Sequence, residues 1–166
     1  MQVETESKLL FWQSESIYSN WYQPIEFSLD GILFTNSEAC FMYLKALLFK
    51  DTQTANEILK NQDPRGVKAY GRNIKNFDQK LWDEEKENLM FRACFSKFSQ
   101  NAKLLEALVD TGTKELVEAS PFDTIWGIGL GPNDPKALDK SQWKGLNLLG
   151  MILMDIRYIF QKQSEE

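Results

Sequence analysis

A chain of 166 residues with 43% hydrophobic and 26% charged side chains has the size and make-up of one globular domain. Its 19 basic and 24 acidic residues leave a net charge of −5, which excludes a general coat for polyanions but not a small phosphorylated ligand held by one or two placed cations. With no histidine and two distant cysteines, Cys40 and Cys94, outside any CxxC pattern, His-based triads and His-ligated metals are excluded, no metal site is expected, and the thiols read as free and buried.

The first twenty residues carry Glu4, Glu6 and Glu15 and no long apolar run. Neither a signal peptide nor a membrane span is expected, and the expected compartment is the cytoplasm. Leu9 to Trp12 reads as a short strand. Ile25–Leu29 and Ile32–Thr35 flank Asp30-Gly31, a hairpin signal. Asn36 or Ser37 then caps a helix to about Lys50, and Thr52–Asn61 is a second one. Asp63-Pro64 opens a third through Tyr70, and Asp78 caps a long one through Ala93. Asn101–Val109 is helical and stops at Thr111-Gly112. Glu115–Ala119 is a strand, Ser120–Asp139 is loop, and Trp143–Gln161 is the last helix. Short strands among many helices, without βαβ alternation, predict an α+β fold, mainly helical, with a few short antiparallel strands. One domain over residues 1–166 is expected, its core about 11–160.

The helix from Ser37 to Phe49 is apolar all round, as a buried helix is, apart from Glu38 and Lys45. Seven residues apart, these two fall on nearly one stripe, roughly 10 Å apart along the axis. One reading is a first-turn Glu favoured by the helix dipole and a Lys that reaches for water. The other is a carboxylate and an amine facing a polar cavity, fit for acid–base and nucleophilic work. Lys45 ranks ahead of Lys68 and Lys97 because its helix leaves it least solvent; Lys97 is expected to be solvated.

A second stretch follows the strand ending at Glu118. Asp123 and Trp126 stand in a loop before Gly127, Gly129 and Gly131, whose backbone permits close approach and whose N–H groups suit an anion. Simple turn chemistry is the commoner reason for such glycines. Asn20-Trp21, Arg72 at a helix end and Trp82 early in the long helix are further candidates, each with an ordinary structural reading beside it.

These segments, in this order, resemble the YbiA/NADAR family. The residues that carry the resemblance are Tyr18-Ser19-Asn20-Trp21-Tyr22, Thr35-Asn36-Ser37-Glu38 with Phe41 to Ala46, Gly71-Arg72 and Trp82. They continue with Lys97 to Asn101, Thr111-Gly112, Leu116 to Pro121, Asp123 with Trp126 to Gly129, and Trp143 to Gly150 with Leu153-Met154 and Arg157. Ala39 and Cys94 depart from the family pattern. The resemblance implies an N-glycosidase acting on a base or amine joined to a phosphorylated ribose. The partner is then ADP-ribose-like or phosphoribosyl, extending to a modified nucleic-acid base, with no cofactor and no membrane. Glu38, Lys45 and Asp123 are the expected catalytic groups. Asn20, Trp21, Arg72, Trp82, Glu118, Trp126, Gly127 and Gly129 are expected to bind substrate, the glycine-loop N–H groups and Arg72 taking the phosphate. A non-catalytic ADP-ribose-binding module is the alternative, and a purely structural partner protein a third reading.

Overall fold

Four of the six α-helices begin on an asparagine or aspartate side chain, at Asn36, Asp63 and Asp78 as expected and also at Asp51. In the computed structural model, which describes residues 1–166, Asn36 accepts from the Ala39 N–H at 2.8 Å and opens α1 (Ser37–Leu48). Asp51 opens α2 (Thr52–Lys60), Asp63 opens α3 (Pro64–Arg72) with proline in its first turn, and Asp78 opens α4 (Gln79–Ser99). Each such cap is worth about 1 kcal/mol. Asp51 also accepts from the Lys75 N–H at 2.9 Å, tying down the segment between α3 and α4.

The remaining elements are short strands β1 (Gln2–Glu4), β2 (Lys8–Phe11), β3 (Phe27–Leu29), β4 (Ile32–Phe34) and β5 (Glu115–Glu118), with helices α5 (Ala102–Asp110) and α6 (Leu148–Gln163). The fold is α+β. No helix is long and apolar enough to cross a membrane. Cys40 and Cys94 are buried and free.

By its internal contacts the chain divides into two units, one made of Met1–Tyr22 with Ala102–Glu166 and the other of Gln23–Asn101. In the first unit β1 pairs antiparallel with β2, and β2 pairs with β5 in parallel, Lys8 opposite Glu115 and Phe11 opposite Glu118. This corrects the expectation of antiparallel strands alone. β2 and β5 belong to distant parts of the chain, so no tight turn dictates their direction. Leu10, Val117, Ala119, Ile128, Leu130 and Ala137 form the apolar centre against this sheet.

In the second unit β3 and β4 form the expected hairpin about Asp30-Gly31, where both residues adopt positive φ, +51° and +79°. α1 lies against α2, α3, α4 and β4, which is why its sequence is apolar on every side. Phe49, Ala46, Ala55 and Ile74 form the apolar centre there, with Tyr43, Leu81 and Trp82 around it.

Two helix boundaries differ from the sequence expectation by five residues or more. α4 runs on to Ser99, because Leu89-Met90, Ala93-Cys94 and Lys97-Phe98 continue one buried stripe. α6 starts at Leu148, five residues later than expected, because Asn147 sits at φ +54°. Its side chain does not cap the helix. The loop does so instead: the Leu148 and Leu149 N–H groups donate to the carbonyls of Ile125 and Trp126 at 3.2 and 3.1 Å.

Candidate active site

Glu38 is only 7% exposed, in the first turn of α1. Burying a carboxylate is costly unless polar groups or a dipole face it, and the helix N-terminus supplies part of that compensation. Two turns on, the Lys45 ammonium is half-buried and donates to the Gly71 carbonyl at 2.9 Å. That carbonyl lies in the last turn of α3, where helix acceptors lack intrahelical partners. The same ammonium lies 4.8 Å from the Trp82 ring centre and 5.2 Å from that of Phe77. Burial lowers the Lys45 pKa, and the charge of Glu38 pushes it back up. The carboxylate and the amine therefore sense one another, as their helical spacing predicts.

Trp82 packs on Phe41 and Phe49, with ring centres 5.5 and 6.3 Å away, besides receiving Lys45. Much of its ring is thereby committed to packing. Arg72, the last residue of α3, is exposed. Gly71 beside it is buried against Met42 of α1.

Lys97 overturns a sequence expectation. It is 1% exposed, not solvated, and has less solvent than Lys45. The reason is its place on the buried stripe of α4, where its hydrocarbon stem substitutes for an apolar side chain. Burial pushes its amine down to about 8, against an opposing pull from Cys94. A pKa so placed leaves roughly a tenth of the amine neutral at pH 7. Lys97 is thus the amine that the ranking by solvent access favours.

In the unit containing Met1–Tyr22, Asn20 is buried and Trp21 half-buried. The Trp21 N–H donates to Ser19 Oγ at 3.1 Å and the Tyr22 N–H to the Ser19 carbonyl at 3.2 Å, so this segment is wound into turns. Glu118, half-buried, ends β5. Asp123 Oδ1 accepts from the N–H groups of Ile125 and Trp126 at 2.9 and 2.8 Å, so one carboxyl oxygen holds the loop.

The glycine loop is built for close packing. The Ile128 and Gly129 N–H groups donate to the carbonyls of Glu118 and Asp123, both at 3.0 Å, and are not available to an anion. A Cβ at Gly127 would lie 2.8 Å from the Glu118 carbonyl oxygen, and one at Gly145 would run into the carbonyl oxygen of Gly127. Gly129 adopts φ +71°. The anion cradle expected of this loop is therefore reduced to the N–H groups outside that pair.

Asn147 ties the loop ahead of α6 to β5. Buried, it takes the Glu118 N–H on Oδ1 and gives Nδ2 to the Leu116 carbonyl, both at 3.0 Å. Its side-chain amide thus pairs with β5 as a neighbouring strand would. Its backbone N–H donates to the Gly127 carbonyl at 3.1 Å. A Gly-x-Asn run ahead of an apolar helix is the available signal, and it reads more readily as a helix cap.

Comparison with known proteins extends the geometry. A model of the NADAR domain matches residues 10–161. Protein irg-1 of Caenorhabditis elegans is 39% identical over 168 residues, which cover 92% of this chain and 79% of that protein. N-glycosidase R617 of Acanthamoeba polyphaga mimivirus is 39% identical over 146 residues, covering 85% of each chain. The NMR structure of YbiA from Escherichia coli superposes with a TM-score of 0.79 at 28% identity, over 99% of this chain and 90% of that one.

Proposed function

The chain belongs to the NADAR domain family and is an N-glycosyl hydrolase, and from that premise we propose that it cleaves a base or amine from C1 of a phosphorylated ribose. ADP-ribosyl-guanine and phosphoribosylamino-pyrimidines both fit that description. A single NADAR-like domain over residues 1–166, working in the cytoplasm, belongs to the same reading. The observation that carries it is the buried carboxylate of Glu38, coupled to an amine on an otherwise apolar helix.

Glu38 protonates the leaving nitrogen and later takes a proton from water. Asp123, with one oxygen engaged by its loop, is the second carboxylate of the chemistry. Lys97, whose amine burial pushes down to about 8, adds to C1 as the base departs. The ribose ring opens to an imine, and water then releases the sugar and restores the lysine. Lys45, held by the Gly71 carbonyl and the two rings, faces the charge that develops on the departing base. Arg72 takes the phosphate, while Asn20, Trp21, Trp82, Glu118, Trp126, Gly127 and Gly129 shape the substrate-binding surface.

The test is incubation with an ADP-ribosylated guanine oligonucleotide and with the pyrimidine intermediate, scored by mass spectrometry. Glu38→Gln is expected to lose roughly 10²–10⁴-fold in turnover while its circular dichroism spectrum is unchanged. A wild-type rate in that variant removes Glu38 from the chemistry. Borohydride added during turnover is expected to fix the sugar on Lys97; a label on Lys45 reverses the two amines.

A further inference from the structure

Phe77 stands in segment 73–78, which joins α3 to α4. Hydrogen bonds along its length hold that segment in place. The Asn73 N–H donates to the Tyr70 carbonyl at 3.0 Å, the Lys75 N–H to Asp51 at 2.9 Å, and the Asn76 side chain to the Phe49 carbonyl at 3.3 Å. Asn76 turns the chain at φ +61°, a conformation that asparagine tolerates better than most residues. The Phe77 ring then lies 5.2 Å from that of Phe49, with planes at 54°. Its other neighbour is a charge, because the Lys45 ammonium stands over it, 5.2 Å from its centre. These groups, with Trp82 and Glu38, all belong to the one unit Gln23–Asn101.

A ring that served the apolar centre alone would be covered, yet Phe77 is 46% exposed and so gives only part of its area to folding. Its contact with the ammonium is the more specific one. A lysine stem is long and has many rotamers, and a half-buried ammonium otherwise reaches for water. Here the faces of Phe77 and Trp82 and the Gly71 carbonyl present negative charge density to Lys45 from a loop and two helices. We infer that Phe77 is a positioning residue of the reaction: with Trp82 it makes a two-ring seat that fixes the Lys45 ammonium where the developing charge meets it. This rests on the role given to Lys45 in the proposed function and adds the group that keeps it in place. A charge already oriented costs no reorganisation at the moment of reaction. Phe77 touches the lysine and not the substrate, so its effect belongs to kcat more than to KM.

The seat is read by NMR without turnover. Ring currents shift the Lys45 ε-methylene signal, which is identified by its absence in Lys45→Met. Phe77→Leu, apolar but without a ring, is expected to move that signal towards the position of an exposed lysine, and Phe77→Tyr to leave it displaced. A cation–π contact corresponds to roughly 2- to 30-fold in a rate constant, so Phe77→Leu is expected to lower kcat by that factor with KM little changed. Phe77→Tyr should restore the rate, and in the Lys45→Met background Phe77→Leu should cost nothing further. An unmoved Lys45 signal, full kcat in Phe77→Leu, a loss that Phe77→Tyr does not restore, or a loss that simply adds to that of Lys45→Met overturns the inference. Wild-type turnover in Lys45→Met defeats the role of Lys45 and this inference with it, and leaves Glu38 to its own test. Protein that cleaves neither substrate, with the Lys45 signal moved as expected, defeats the proposed function and leaves the two-ring seat standing.

Discussion

The two units place their polar groups by opposite means. In Gln23–Asn101 the notable groups are side-chain charges set among hydrocarbon: Glu38 on α1, and Lys97 on the inner stripe of α4. In the other unit the work is done by main chain, with the carbonyls of Thr124 to Ile128 each taking an N–H from Lys144 to Leu149, and Asn147 completing β5. The energetic signs differ accordingly. A buried amine held below its ordinary pKa burdens the folded state, whereas a buried amide with both ends bonded supports it.

Lys97 gives the largest expected effect. Its folded pKa of about 8 lies below the ordinary 10.5, so between those values the unfolded chain binds more protons. Stability therefore rises as pH climbs from about 8 towards 10.5, and the burden is present in full below 8. Lys97→Met is expected to gain up to about 3 kcal/mol at pH 7 in urea unfolding while losing turnover and borohydride trapping. In the wild type, turnover limited by the neutral amine should rise with pH, reach half its maximum near 8 and level off above it. A variant that is both less stable and fully active breaks the contrast between the units.

Asn147→Ala is next, and of opposite sign. It strands the Glu118 N–H and the Leu116 carbonyl, costing about 2–3 kcal/mol, read as a fall in urea midpoint. The smallest effect tests glycine in each unit with the same change. At Gly150 a Cβ runs into the Leu116 carbonyl oxygen and the Asn147 amide; at Gly71 it meets only the mobile end of Met42. Gly150→Ala is expected to cost about 1–3 kcal/mol and Gly71→Ala less than about 1 kcal/mol, as thermal unfolding would measure. Equal costs would mean that the β5 region yields as readily as a methionine side chain.

Elements set by local chemistry could be read from the sequence. The Asp and Asn caps, Pro64, the Asp30-Gly31 turn and the apolar girth of α1 each act within a few residues, and each appears where expected. Burial of Glu38 follows from the same girth. The parallel join of β2 to β5 depends on residues far apart in the chain, and no local signal encodes its direction. Lys97 reads as solvated by its charge alone, although the spacing from Leu89 to Phe98 places it inward. The close packing of Gly127 on the Glu118 and Asp123 carbonyls, and of Gly129 on Lys144 and Thr124, is not announced by the glycines themselves.

The β2–β5 join has a consequence for synthesis on the ribosome. Gln23–Asn101 is one continuous stretch, and β3 and β4 find each other within it. Lys8–Phe11 leaves the exit tunnel before that stretch, yet its parallel partner Glu115–Glu118 is translated only after it. Until then β2 has an open edge, and an open edge on an apolar strand is what a neighbouring nascent chain or a chaperone would seize.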